Sequence, residues 1–293
     1  MENGIPAVKI DVNKCTNCKK CEADCLLTTY IGYKNIIDGD SKVCNLCGHC
    51  LASCEYDAIT HFKLSNKDIR PLGKLPKPDE MLNLIIGRRS RRTFKEEKIK
   101  QDDWNKIIEA VRYSMTGCNI QDVDLIIIES KEVIKKIGNA IMEFDLILES
   151  QLADENISTN FEPQFGKLII NAFEKYDKKH DLQKKYKDDG NDFAVFNASS
   201  LIFFIGPKVN FSQVECLLAT QAVALLAPTL GIGTCDNGTI PIAYSIGFPP
   251  FMEIVKEFLP EDKGIFSAMM VGYQEFEYTK IPFRNEKNVI YVK

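Results

Sequence analysis

The chain has 293 residues, 45% hydrophobic and 27% charged, with a formal net charge of −4. That length suits one large domain, or a small one followed by a medium one. The acidic balance argues against a nucleic-acid surface, and no run of eighteen apolar residues marks a membrane span.

The N-terminus, MENGIPAVKIDVNKC, has neither a basic start nor an apolar segment, so it does not read as a secretory leader. A cysteine-rich chain of this kind is expected in the cytoplasm, where metal binding outweighs disulfide formation. Eight of the eleven cysteines fall in residues 1–64. They spell one word twice: CTNCKKCEADC (15–25) and CNLCGHCLASC (44–54). Two strand-like runs, AVKIDVNK and AITHFKL, flank the pair.

Each word is C-x2-C-x2-C-x3-C. Three thiolates on one short loop can hold three corners of a cube-shaped iron–sulfur cluster, and the fourth ligates the other cluster. Crossed ligation then assigns Cys15, Cys18, Cys21 and Cys54 to one [4Fe-4S] cluster, and Cys44, Cys47, Cys50 and Cys25 to a second. A pair of zinc sites is the alternative, although a third cysteine at x2 is surplus to a zinc knuckle. His49, inside the second word, reads either as a cluster ligand or, more readily, as a neighbour that tunes a cluster by hydrogen bonding.

Residues 65–80, SNKDIRPLGKLPKPDE, read as an extended linker and leave 81–293 as a second domain. DEMLNLII is amphipathic. Trp104, Ile107, Ile108 and Val111 keep helical spacing, which predicts a helix over 101–114. VDLIIIE (123–129), LIFFIG (201–206) and IFSAMMVGY (265–273) read as buried strands, with a long, charged, mostly helical stretch at 131–190. SQVECLLATQAVALLAPTLG (212–231) is the most apolar helix, ended or kinked at Pro228. The tail NVIYVK (288–293) reads as a terminal strand.

Three segments of this domain are candidates for a cofactor. GRRSRRTF (87–94) groups four arginines with a serine at a helix end. Those cations either complement the helix dipole or grip a phosphate. SMTGCNIQD (114–122) and LGIGTCDNGTIP (230–241) read as small-residue loops. The latter misses the dinucleotide-binding G-x-G-x-x-G spacing. Cys118, Cys216 and Cys235 read as unligated thiols.

Residues 1–64 resemble bacterial two-cluster ferredoxins, with Leu26 and Glu55 where those proteins carry proline. Residues 80–293 resemble the flavin-binding nitroreductase family. RRSRRTF matches that family's R-[RH]-S-x-[RK]-x-[FY] opening. SMTGCNIQ resembles its P-S-x-x-N-x-Q loop, with Met115 for proline and Thr116 for serine. LGIGTCDNG resembles its L-G-[LI]-G-[ST]-C stretch. NASSLIFFIG has Ser199 where an A-P pair is usual, and IPFR (281–284) resembles the late basic segment. The whole is similar to the ferredoxin–nitroreductase fusions of anaerobes.

This resemblance implies an α+β fold in which a small two-cluster domain precedes a nitroreductase-like domain, with a central mixed sheet flanked by helices. It also implies FMN at a homodimer interface. Arg88, Arg89, Ser90 and Arg92 would hold the phosphate and ribityl chain, with Arg284 adding to the grip. Met115, Thr116, Gly117 and Asn119 would approach from the partner subunit. Asn237 and Gly238 would lie near the ring, where backbone N–H groups steady negative charge. Electrons would come from a ferredoxin or NAD(P)H and pass to a nitroaromatic, a quinone or free flavin. No side-chain acid or base stands out as catalytic. An electron relay, or a different reduction such as dehalogenation or enoate reduction, is the alternative.

Overall fold

The computed structural model describes residues 7–26, 44–64, 69–152, 192–209 and 211–293, with side chains omitted at 149–152. It divides into two compact units. The first is Met1–Pro76 with Thr116–Gln121; the second is Lys77–Met115 with Asp122–Lys293.

In the first unit β1 (Val8–Ile10) pairs antiparallel with β2 (Ile59–His61), Val8 opposite His61. Two four-residue helices, α1 (Lys20–Ala23) and α2 (His49–Ala52), each start inside a cysteine word. The buried core includes Ala7, Val8, Leu51 and Ile59, with Cys21, Cys25, Cys44, Cys50 and Cys54 packed against it. So few aliphatic side chains bury little area, and a unit of this size ordinarily needs a metal or another staple. Glu55, which replaces the proline of the resemblance, forms an ion pair with Lys20.

The second unit opens with α3 (Pro78–Gly87). Pro78 stands at its first turn, and Glu80 Oε2 accepts the N–H of Lys77 at 2.9 Å. Next come α4 (Gln101–Arg112), β3 (Asp124–Ile128) and α5 (Lys131–Leu152). After residues outside the described set come β4 (Ser200–Pro207) and α6 (Ser212–Leu226). A short 3-10 turn, Ala227–Leu230, leads to β5 (Ile232–Asp236), α7 (Thr239–Ser245), α8 (Pro249–Val255) and β6 (Lys263–Tyr273).

The sheet order is β3-β4-β6-β5, antiparallel at every pairing. Strand β4 is apolar on both faces because both faces are covered. Leu201, Phe203 and Ile205 join the core under α5, α7 and α8, while Ile202 and Phe204 join the one under α4 and α6. Ser212–Leu230 is long and apolar enough, by length and composition, to cross a membrane. Here Cys216, Ala219, Val223 and Ala224 pack into the core below the sheet. Pro228 falls in the 3-10 turn, which closes at Gly231 with φ 69°.

Three expectations are corrected. The parallel part of the expected mixed sheet reduces, among the described residues, to one bridge, Ser90 to Thr234. The stretch LGIGTCDNG is not a loop throughout. Residues 232–236 form β5, and its backbone finds a ladder partner in β6 at Tyr273–Met269. Residues 288–293 form no strand; all six are exposed, and an extended segment without a ladder partner is not a strand. Of the charged stretch 131–190, Lys131–Leu152 is helical, and 153–190 lies outside the described residues.

Gly233 is required by a close approach. A Cβ there would lie 2.8 Å from Arg91 Cβ. Gly233→Ala should therefore destabilise the second unit by on the order of 1–3 kcal/mol in urea unfolding. Gly87→Ala, with open space around the added carbon, should be neutral or stabilising by up to about 1 kcal/mol.

Candidate functional site

The first unit sorts its eight cysteines into two sets. A cavity of about 310 Å³ is lined by Cys15, Cys18, Cys21 and Cys54. The other four gather around Cys50: burial pushes its thiol up to about 11 against the pull of the Leu51 N–H, and nearby Cys47, Cys25 and Cys44 add to that push. The same physics raises Cys21, by burial first and then by Cys18 and Cys54. None of the eight is in a disulfide. Among the described residues no group of three or more His, Cys, Asp or Glu side chains is arranged around a single ion. Backbone N–H groups already point at sulfur: Asn17 N lies 3.4 Å from Cys15 Sγ, and Ala58 N lies 3.3 Å from Cys54 Sγ.

The histidine against a cysteine is not His49. His49 Nδ1 sits 3.4 Å from Asp24 Oδ2, with both side chains largely exposed. His61 is the buried one, with Nε2 3.5 Å from Cys44 Sγ. Its only sequence signal is its place on the inward side of a strand that follows the second word.

In the second unit, the chain leaving α3 runs alongside β5. Arg91 N donates to Thr234 O at 2.8 Å, and Ser90 bridges Thr234. Alternation along this extended segment sends neighbouring side chains opposite ways. Arg91 turns to the tail, where its guanidinium donates to Phe276 O at 2.9 Å and stacks 3.6 Å from the Tyr278 ring centre. Arg88, Ser90 and Arg92 turn to Cys235. Burial pushes that thiol up, while Arg92, a hydrogen bond with Ser90, and Arg88 pull it down. Arg92 also lies 5.6 Å from the Phe196 ring centre. Among the described residues, Arg88, Arg89 and Arg92 make no ion pair, although Arg88 and Arg89 are half-buried. Half-buried guanidinium groups ordinarily have an anionic partner.

Beside these cations is a cavity of about 540 Å³, lined among others by Arg92, Phe193, Phe196, Cys235, Asn237 and Gly238. A second, of about 410 Å³, shares Asp236, Asn237 and Gly238 with it. Asn237 is buried and committed. Its Nδ2 donates to Ala194 O at 2.9 Å, and its Oδ1 accepts the N–H groups of Thr239 and Ile240 at 3.1 Å, capping α7. Phe193, Phe196 and Asp145, which also lines the larger cavity, carry no motif in the sequence. The tight turn at Asp192, which accepts the N–H groups of Ala194 and Val195, brings the two rings together.

Two groups of candidates lie elsewhere in the single chain. Residues 116–121 belong to the first unit, where Asn119 Nδ2 donates to Asn45 O and Leu46 O, each at 3.1 Å. Thr116 Oγ1 accepts Gln121 N at 3.0 Å, and Cys118, Asn119 and Gln121 all have φ near +55°, with values of 51°, 58° and 56°. Gly117 is exposed in that segment, and Met115 is exposed at the end of the second unit's preceding stretch. Arg284 is exposed in the tail and has no hydrogen bond or ion pair among the described residues. Cys118 is exposed, whereas Cys216 is a core thiol that burial pushes up to about 12.

Asp236 ends a short polar chain. Thr220 Oγ1 lies 2.7 Å from Cys216 O and 2.8 Å from Ser267 Oγ, and Ser267 donates to Asp236 Oδ1 at 3.3 Å. Burial pushes the Asp236 carboxyl up, against the pull of Ser267 and Arg88. Its outer side is exposed and lines both cavities.

The second unit is an α+β domain whose two-faced antiparallel sheet carries arginines beside an aromatic-walled cavity. The chain belongs to the nitroreductase family, which it matches over residues 85–273. A protein of Archaeoglobus fulgidus described as an NADH dehydrogenase or NAD(P)H nitroreductase is 22% identical over 206 residues, covering 68% of this chain and 88% of the relative. A nitroreductase with bound FMN from Bacteroides fragilis superposes with a TM-score of 0.53 at 18% identity, over 73% of this chain and 99% of that one. One from Desulfitobacterium hafniense, also with bound FMN, gives 0.53 at 21% identity, over 73% and 98%.

The sign of the Asp236 shift makes a prediction. A carboxyl raised in the folded state binds its proton more tightly there than in the unfolded chain, so stability falls as pH rises above the unfolded value of about 3.9. Asp236→Asn removes that loss. Its melting temperature relative to wild type should rise between pH 4 and pH 7, followed by thermal unfolding across that range.

Proposed function

We propose that this chain is an FMN-dependent reductase that receives electrons through two [4Fe-4S] clusters. The observation that carries the flavin half is the set of guanidinium groups of Arg88, Arg89 and Arg92, which make no ion pair among the described residues, beside Ser90 and the aromatic-walled cavity. Arginine forks match phosphate oxygens, and the serine hydroxyl adds a donor. Arg91, already spent on Phe276 and Tyr278, stays out of that grip. Phe193 and Phe196 supply apolar walls for a flat ring, with Asn237 and Gly238 on the floor. FMN, when bound, supplies the pairing of single electrons into a two-electron transfer.

The cluster half rests on the sorting of the eight cysteines. Cys15, Cys18, Cys21 and Cys54 share one cavity, and Cys25, Cys44, Cys47 and Cys50 gather apart from it. A lone zinc ion takes four ligands, and the third cysteine at x2 in each word is surplus to it, which favours the larger iron–sulfur unit. A homodimer would complete the flavin site with Met115, Thr116, Gly117, Asn119 and Arg284. In its favour, α6 exposes Val214, Leu217 and Leu218, and the tail exposes Phe283, Ile290 and Val292. Such apolar surface is characteristic of a protein interface. The donor is a ferredoxin or NAD(P)H, the latter in keeping with the description of the archaeal relative. The acceptor is a small flat molecule such as a nitroaromatic, a quinone or free flavin, in a reducing cytoplasm.

Anaerobically prepared protein should carry about eight iron and about eight acid-labile sulfides per chain. Stoichiometric zinc without sulfide would refute the cluster half. Arg88→Ala should leave that iron in place while weakening FMN binding. Loss of a charge-assisted phosphate contact costs on the order of 1.5–3 kcal/mol, roughly 10- to 150-fold in affinity, read by flavin fluorescence after gel filtration.

A further inference from the structure

The cysteine words leave a buried imidazole of the first unit, His61, unexplained. His61 ends β2 on the inward side, as Ile59 does, while Thr60 between them faces out. Only 4% of the residue is exposed. Its two ring nitrogens have distinct jobs. Nδ1 accepts backbone N–H groups from both Lys63 and Leu64, each at 3.1 Å. A ring nitrogen that accepts a hydrogen bond carries no proton, so the hydrogen-bond network assigns the ring proton to Nε2. Nε2 lies 3.5 Å from Cys44 Sγ, the first thiol of the second word. The turn after β2 thus fixes the tautomer that aims a donor at sulfur.

We propose that His61 is a positioning residue for the second cysteine set: its Nε2–H donates to Cys44 Sγ and raises the reduction potential of the cluster that Cys25, Cys44, Cys47 and Cys50 hold. This rests on the reading that those thiolates ligate a four-iron cluster. Reduction adds one electron and hence negative charge, part of which falls on the ligand sulfurs. An N–H dipole aimed at one of them favours the reduced form over the oxidised one.

Other sulfurs of both sets receive donors from the backbone, Cys15 from Asn17, Cys54 from Ala58 and Cys50 from Leu51, which no side-chain change removes. The donor at Cys44 comes from a side chain. One substitution should therefore shift one cluster and spare the other.

The experiment is an EPR-monitored redox titration of the full chain, anaerobic and iron-replete, for wild type, His61→Leu and His61→Gln. In His61→Leu one cluster should become harder to reduce, by roughly tenfold in its one-electron equilibrium (~59 mV), with the other unmoved. His61→Gln, whose amide keeps an N–H donor, should recover most of the shift. Two clusters at wild-type potentials in iron-replete His61→Leu would overturn the proposal. If His61→Leu loses iron, wild-type protein decides. With histidine labelled by 15N, the reduced second cluster should show a nitrogen hyperfine coupling that survives His49→Gln, and absence of that coupling overturns the proposal. Wild-type protein without iron or sulfide would instead refute the cluster reading.

Discussion

The candidate site in the second unit depends on the backbone hydrogen bond from Arg91 to Thr234. That bond lays the segment after α3 against the edge strand β5 and fixes its register. Once the register is set, alternation does the rest. Arg88, Ser90 and Arg92 fall toward the Cys235 thiol, and Arg91 falls toward Tyr278. A slip of one residue would exchange the two groups. It would put Arg91 at the cavity and leave its neighbours at the tail. Gly233 makes the approach sterically open, since a side chain there would meet Arg91. The cation group is thus a product of strand pairing more than of local composition.

Much of this architecture is legible in the sequence because it rests on strong periodicities. The run LIFFI reads as a buried strand, and the spacing of Trp104, Ile107 and Val111 reads as one face of a helix, and the structure has both. The cysteine words are visible as a repeat, and each has a four-residue helix starting inside it. What the sequence hides is long-range. Strand β5 is written in small residues, Gly233, Thr234 and Cys235, whose preference for extended structure is weak and whose state is decided by β6 beside them. Tail residues 288–293 err the other way: their composition suits a strand, yet no ladder is on offer in one chain. Phe193 and Phe196 carry no spacing signal, because a turn at Asp192 brings them together.

Histidine shows the same contrast at the scale of one side chain. Sequence proximity favours His49, which sits inside a cysteine word; folding puts it at the surface beside Asp24. His61 is seven residues past the last cysteine of the word, but antiparallel pairing of β2 with β1 carries it back over the cysteines. Asn237 teaches a related lesson. Its position on the cavity floor suggests a contact to a ligand, yet its side chain is spent on Ala194 and on the start of α7. A polar residue beside a cavity can be there to hold the wall.

The first unit is not a continuous stretch of chain. Thr116–Gln121 interrupts the second unit's sequence, and Asn119 serves carbonyls that belong to the cysteine-bearing segment. This has a bearing on where the chain can be divided. No single cut in the sequence separates the units. A truncation that removes residues 1–76 strips Asn119 of both carbonyls its amide serves, and leaves the left-handed backbone at Cys118, Asn119 and Gln121 without those two hydrogen bonds.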